Sequence, residues 1–553
     1  MEKRISLRIA ALAVGFLFFG ILGMANTALF DVDEGAFSEA TREMLASGDF
    51  GFTFLNGKPR FDKPILVYWL QALSISILGQ TELGARMVSL LAGIASAWIA
   101  ARFAFRWSKQ AESALMVFAL YGSCLGPLVM RHAATADALL YLWLTASSCC
   151  LIESIRLRES GEETPEGLAK ARQYLRLAWM SSAFALLTKG LIGLLVPAFI
   201  VLGFCMVRRN FKALGWSFSD ATACLAWLAI GLPWYAYAYW RFSDDFIQGL
   251  FGKHHVGRSM QAMEGHTGSW FYTLIMVLLL SLPFTPVLIS SLWQQWRKHA
   301  LRASDDQKGP GSSAAHEGIS AASLGLLSHG LGMLAVFSVV ATKLPHYAMY
   351  ALLPMLLLAA LSPQIAKLTW LSTCTFGLLM IATIAALHPI LLLTIESPSG
   401  NRFYRALIEH GLEHAVWGAT EQGMIALAFG ALGFAMFTKH LLNRWLYIGL
   451  ALQITVCLLL LPALGQVLQA PIKALATRAG DAVTVSFQLR APSFSFYRSA
   501  VTEDRLPLPG EQVVLRASDF PNLHRASGDR TGWVLVDGAG PLLLLRRESN
   551  DGN

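Results

Sequence analysis

The sequence predicts an all-α polytopic membrane protein with a small α/β unit at its C-terminal end. Of its 553 residues 55% are hydrophobic and only 14% charged, where soluble globular chains carry about 25% charged residues. Apolar runs of about 20 residues, each able to cross roughly 30 Å of hydrocarbon, recur along most of the chain. Short basic loops separate them, and these loops hold much of the formal net charge of +8, as orientation signals do. No basic stripe with interleaved aromatics is present, so nucleic acid is not an expected partner.

The first apolar run follows Glu2, Lys3, Arg4 and Arg8 and continues to about Phe30. It is longer than the apolar part of a secretory signal and lacks a cleavage site, so a retained first span is expected. Further spans are expected near 84–104, 111–129, 133–152, 175–188, 190–207, 217–240, 270–293, 319–341, 346–361, 367–394, 422–437 and 443–468. The run at 64–80 is the exception. Counted as a span, it puts the N-terminus and the basic loops at 102–109, 153–176, 208–212, 297–308 and 439–444 on opposite sides. Left out, all of them gather on the cytoplasmic side. It is short, begins at Lys63-Pro64 and carries Tyr68, Trp69 and Gln71 on its first turns, so it is expected to lie in the interface.

The outcome is about thirteen spans with a cytoplasmic N-terminus. A transmembrane unit covers 1–468, with 31–83 as its first extracytoplasmic loop, and a unit at 469–553 lies outside. In that tail, 482–487, 513–515 and 532–536 alternate apolar and polar residues between Gly and Pro breaks, as strands do. All seven cysteines lie in apolar runs, so neither a disulfide framework nor a CxxC metal site is expected.

Six constellations fall on the outer side. Asp31-Val32-Asp33-Glu34 opens a helical stretch, where the first turn favours acids; it reads either as a cap or as a carboxylate held at the surface as a general base. Lys58-Pro59-Arg60-Phe61-Asp62-Lys63-Pro64 sets three cations at headgroup level, suited to a phosphate or to simple anchoring. Arg131-His132-Ala133-Ala134-Thr135-Ala136-Asp137 puts Asp137 at a span's edge, as a cap or a functional acid. Thr188-Lys189-Gly190 places a Lys against the orientation bias, either snorkelling or recruited.

Lys253-His254-His255-Val256-Gly257-Arg258, with Glu264 and His266, invites a metal reading. The spacing fits no standard zinc motif, so Lys253 and Arg258 read better as a phosphate clamp, with His255 and Asp62 as the candidate ligands if a divalent metal binds. Thr342-Lys343-Leu344-Pro345-His346-Tyr347 offers Lys343 as a charge and Tyr347 as a donor or a belt anchor. Carboxylates at one point and cations at several others suit a phosphate-linked substrate and an acceptor that needs activation.

Several of these stretches resemble a known family. Asp33-Glu34 with 38–49, Leu55-Asn56-Gly57, Phe61-Asp62-Lys63-Pro64-Ile65, Leu187-Thr188-Lys189-Gly190, His255-Val256-Gly257-Arg258 and Lys343-Leu344-Pro345-His346-Tyr347 are similar to motifs of the aminoarabinose transferases, relatives of the protein mannosyltransferases. The likeness covers roughly 8–360. It implies the membrane glycosyltransferase C fold, Asp33 as the essential active-site carboxylate, and Lys63, Arg258 and Tyr347 as ligands of the phosphate of an undecaprenyl-phosphate sugar donor. Asp62 departs from the family's usual Glu and reaches one methylene less far toward a metal. The expected activity is inverting transfer of a sugar, 4-amino-4-deoxy-L-arabinose by the resemblance, to lipid A phosphate at the periplasmic face of a bacterial inner membrane by a monomer. Protein or glycan acceptors and a lipid-linked saccharide flippase are the alternatives. A secondary transporter should instead place ionisable groups near the bilayer midplane.

Overall fold

A computed structural model of the chain describes residues 3–159, 164–257, 267–305, 320–361, 365–396, 401–414, 418–438, 441–528 and 532–548. Almost all of it is helix, closed at the C-terminal end by one small sheet.

Helix α1 (Lys3–Ala25) is the first apolar run. A short link leads to α2 (Asp33–Ser47), where Asp33 and Glu34 occupy the first turn and Gly48, with φ 70°, ends the helix by donating its N–H to Met44 O. That left-handed position favours glycine. A two-stranded hairpin follows, β1 (Phe54–Leu55) and β2 (Lys58–Pro59). Glu43 of α2 fixes its turn by accepting the N–H groups of Asn56 and Gly57.

The 64–80 run forms α3 (Leu66–Leu78), 13 residues or about 20 Å at about 1.5 Å per residue. Too short to cross, it agrees with the interfacial expectation. Then come α4 (Glu82–Ser108), capped by Thr81, α5 (Ala111–Ser123), α6 (Leu125–Met130), α7 (Asp137–Glu159), α8 (Pro165–Lys189), α9 (Ile192–Arg208) and α10 (Lys212–Ser217).

Among the described residues eight helices are long and apolar enough to cross a membrane, or nine if the pair Tyr272–Leu280 and Thr285–Arg297, bent by 111°, counts as one span. The expected count was about thirteen. Four of those runs do not make long uninterrupted apolar helices: 111–129 breaks at Cys124 into α5 and α6, and 175–188 lies in α8, whose first half is charged. The other two are short, α9 with Pro197 inside it and Pro345–Ala360. The protein is a multi-pass membrane protein, mostly helical.

The seven cysteines are all unpaired. The C-terminal sheet is mixed, in the order β3 (Thr484–Ser486), β4 (Gln512–Arg516), β6 (Leu542–Arg547), β5 (Trp533–Ala539). The β3–β4 pair is parallel and the others antiparallel. Three of these strands fall on the expected alternating stretches. The fourth, β6, reads as a run of four leucines rather than an alternation.

The sheet is tied to the first loop by the helix Pro492–Arg498. Ser493 donates its N–H (3.0 Å) and its hydroxyl to the Asp31 carboxylate. The Tyr497 hydroxyl accepts Leu29 N–H at 2.7 Å and donates to Glu82, and Ser495 donates to Asn56 Oδ1. Gly35 makes the close approach feasible, since a Cβ there would collide with Asp31 Oδ1 and lie 2.5 Å from Ser493 N.

Candidate active site

Two adjacent carboxylates at the start of α2 have opposite fates. Glu34 is buried and accepts four hydrogen bonds: Arg86 Nε at 2.8 Å, Arg86 Nη2 at 2.6 Å, Phe30 N at 2.8 Å and Ala134 N at 2.6 Å. Arg86 in turn donates to the main-chain oxygens of Met24, Thr27 and Ala28 at the end of α1. Glu34, expected beside Asp33 as a catalytic acid, is therefore the hub of a buried ion pair that pins α1, α2 and α4 together. Asp33 is exposed, and among the described residues its carboxylate accepts no hydrogen bond. Its field still reaches Arg60: burial pulls that guanidinium down, but Asp62, Tyr68 and Asp33 outweigh this and hold it above its ordinary value.

Arg60 lies within reach of that charge and is itself held on several sides. It grips Asp62 with two bonds, Nε–Oδ1 at 2.6 Å and Nη2–Oδ2 at 2.9 Å, donates to Ala36 O and lies 4.9 Å over the Phe37 ring. Lys63 Nζ sits 3.3 Å from Asp62 Oδ2 and 3.2 Å from Asp62 O. A divalent ion on Asp62 would have to compete with both cations, and no group of three or more His, Cys, Asp or Glu is placed to hold a metal among the described residues. These residues do not fit a metal, and no chemical step is routed through one. His255, the other expected ligand, has no described side chain, and Arg258, Glu264 and His266 lie outside the described residues.

The second cluster sits where α7 begins, α8 ends and the turn Pro345–Ala348 approaches. Asp137 Oδ1 accepts Lys189 Nζ at 2.6 Å and the Tyr350 hydroxyl at 3.1 Å, with His346 Nε2 4.0 Å away. Lys189 Nζ also lies 5.8 Å over the rings of both Tyr347 and Tyr350. Asp137, Lys189 and Tyr347 are thus brought together. Arg131, from the same sequence constellation as Asp137, points into the core, where it donates to Gly122 O and Gln453 and covers the Phe16 ring.

Lys343 leaves this group. Its ammonium is buried and caps the helix Ala321–Val339, 2.7 Å from Ser338 O and 3.1 Å from Phe337 O, where a cation meets the negative end of the helix dipole. Burial also holds its pKa below the ordinary lysine value.

One apolar core joins the two clusters. Phe37, Ile65 and Tyr68 from the first loop pack with Ala136, Ala138 and Leu187, which flank Asp137 and Lys189. Arg86 and Tyr350 were not singled out from the sequence, and His346 was named only within its constellation, without a role. The signal for Arg86 was present: a lone arginine five residues into an apolar span is paired or functional more often than idle.

The dolichyl-phosphate-mannose-protein mannosyltransferase family (PMT) matches residues 8–246. A Sodalis glossinidius protein named undecaprenyl phosphate-alpha-4-amino-4-deoxy-L-arabinose arabinosyl transferase 1 is 28% identical over 303 residues, which is 55% of this chain and 52% of that protein. The correspondingly named transferase of Aeromonas hydrophila is 26% identical over 451 residues, 79% of this chain and 73% of its own. With the Sodalis protein, the matched stretch thus spans about half of the relative's length. Among solved structures, ArnT from Cupriavidus metallidurans bound to undecaprenyl phosphate aligns over 100% of this chain and 99% of its own, with a TM-score of 0.73 and 18% identity. The apo form aligns at 0.74 with 19% identity, over 97% of each chain.

Fold and site therefore define a multi-pass membrane protein of ArnT-like fold, with acids and cations gathered at the helix ends. Over residues 8–246 the chain is similar to the PMT family, and over its whole length to the fold of ArnT.

Proposed function

We propose that this protein transfers a sugar from undecaprenyl phosphate to a phosphate of lipid A, the sugar being 4-amino-4-deoxy-L-arabinose. The observation that carries the reading is the contrast at the start of α2. Glu34 is saturated by Arg86 and two main-chain donors, while Asp33 beside it stays exposed and accepts no hydrogen bond among the described residues, its charge reaching the cation Arg60. The match to the family over residues 8–246 and the names of the relatives at 26–28% identity suggest the donor and the sugar.

In this reading Lys63 and Arg258 hold the donor phosphate, with Tyr347 donating from its hydroxyl. Lys189, oriented by Asp137, adds positive potential at the same helix ends. As the bond from the anomeric carbon to the phosphate oxygen breaks, its electron pair passes to the phosphate, and the cations stabilise the charge that develops. An acceptor oxygen forms the new bond from the opposite face, inverting the anomeric centre. A lipid A phosphate arrives ionised, so Asp33 orients it through its remaining proton or its neighbours. A hydroxyl acceptor would give its proton to Asp33. Asp62 acts as a spacer that holds Arg60 and Lys63 a fixed distance apart.

The reading includes thirteen crossings of a bacterial inner membrane, with a cytoplasmic N-terminus. The four interrupted or short stretches, 111–130, α8, α9 and Pro345–Ala360, then cross beside the eight long helices and the bent pair. The first loop and the C-terminal sheet face the periplasm, since the basic short loops lie at the other ends of the spans. Mass spectrometry of lipid A from cells with and without the protein tests the acceptor and the sugar together. An aminopentose present only with the protein supports the reading, and identical lipid A with an altered glycoprotein or glycan profile rejects it.

A further inference from the structure

The far end of α7 borders a recess that the reaction does not use. α7 is 23 residues long, so about 33 Å separate Asp137 from Glu159 at about 1.5 Å per residue. That is close to the roughly 30 Å of a bilayer's hydrocarbon core, and the recess therefore opens at the opposite membrane face from Asp33 and Asp137. Its volume is about 700 Å³, and Arg158, Glu159, Arg208, Asn210, Lys212 and Trp216 are among the residues that line it. Small-ligand sites span about 300–1,000 Å³.

Among the described residues that line it are three cations and one carboxylate. Arg208 Nε lies 3.3 Å from Glu159 Oε1, which offsets one positive charge. The Arg158 guanidinium lies 5.8 Å from the centre of the Trp216 ring, and Lys212 forms no salt bridge among the described residues.

An apolar groove of about 340 Å³ runs along the other flank of α10, bordered by Leu202, Cys205, Phe211, Leu214 and Phe218. Lys212, Ala213 and Trp216 turn to the recess while Phe211, Leu214 and Phe218 turn to the groove, the spacing of two faces of one short helix. Phe211 is 77% exposed, Met206 68% and Phe218 59%. Large apolar side chains left uncovered beside a cationic recess at a membrane face match an amphiphile with an anionic head.

We propose that this recess binds an anionic glycerophospholipid from the leaflet opposite the active site, its phosphodiester held by Arg158, Lys212 and Arg208 and an acyl chain lying in the groove beside α10. A phosphate ester is the shared chemistry, and it could also be met by a soluble ion; the groove is what favours the lipid.

The test uses the purified full chain in neutral detergent and native mass spectrometry with dioleoylphosphatidylglycerol, dioleoylphosphatidylcholine and glycerol 3-phosphate as separate probes. Phosphatidylglycerol should be retained in preference to phosphatidylcholine. The double variant Arg158→Ala, Lys212→Ala should weaken its retention about thirty-fold, the electrostatic share of two surface cations. Arg158→Lys, Lys212→Arg should restore it, and Leu214→Gln should weaken the phospholipid alone. Size-exclusion and melting profiles unchanged in these variants show that they fold. Equal retention of the two phospholipids, or a double variant that keeps phosphatidylglycerol like the parent, overturns the proposal. So does displacement of the lipid by equimolar glycerol 3-phosphate, which would make the recess a site for soluble phosphate esters.

Discussion

Glu34→Gln separates a structural carboxylate from a chemical one at the position where the sequence suggested chemistry. Arg86 is only 1% exposed, and both of its bonds to Glu34 would change at once. Gln keeps one acceptor oxygen, but its amide turns N–H donors toward the other pair of donors, either Arg86 Nη2 with Phe30 N or Arg86 Nε with Ala134 N. Breaking a buried pair by neutralising one partner costs about 3–5 kcal/mol, and the one main-chain donor left facing the amide places this case toward the upper part of that range. The assay is thermal unfolding in detergent read by a thiol-reactive dye. It suits a chain whose seven cysteines are all unpaired, four of them buried. The midpoint should fall by several degrees, and Arg86→Met should fall similarly. If Glu34→Gln melts with the parent while its transfer rate collapses, Glu34 takes part in the reaction and the structural assignment is wrong.

Gly35→Ala should drive the Pro492–Arg498 helix off α2, because its Cβ collides with Asp31 and approaches Ser493; limited proteolysis should then cut within 484–500, and an unchanged digestion pattern would count against the docking. Burial pushes the Asp31 carboxyl, ordinarily near 3.8, up to about 7, against the pull of its bonds to Ser493. The docked form therefore keeps a proton that the undocked form releases, so docking is fullest below about pH 4, weakens as pH rises to 7 and is flat above it. Hydrogen exchange at Pro492–Arg498, corrected for its intrinsic rate, should be faster at pH 7.5 than at pH 5.5, and Asp31→Asn should remove that difference. Lys343→Met removes two hydrogen bonds at a helix end and should cost about 1–2 kcal/mol of stability with an unchanged KM for the donor; a tenfold rise in KM with a normal melting profile would instead make Lys343 a donor ligand.

What the sequence disclosed was local or periodic. Hydropathy marks the long spans, and the loop charges single out 64–80, whose helix is indeed too short to cross. Asp33, Lys63 and Asp137 stood out because acids and cations at span edges are costly and rarely idle. Pairings were not legible. Glu34 and Arg86 are 52 residues apart, and no local rule states which of two neighbouring carboxylates will face the buried arginine. Lys343 looked like a ligand because its destination, the end of the helix Ala321–Val339, depends on how the chain turns back after Val340. Fewer helices are long and apolar than the sequence has apolar runs, because a break at Cys124 or a charged first half of α8 interrupts a run without changing its average. Gly35 gave no sign of its role, because the helix it admits lies more than 450 residues further along the chain.

The central claim is that Asp33, and not Glu34, does the chemistry on a lipid-phosphate donor. Transfer by purified Asp33→Asn, measured in a single turnover with synthetic undecaprenyl-phosphate-linked aminoarabinose and lipid A, tests it most directly. With the melting profile unchanged, the rate should fall at least about a hundred-fold. An Asp33→Asn protein that transfers sugar at the parent's rate would contradict the account.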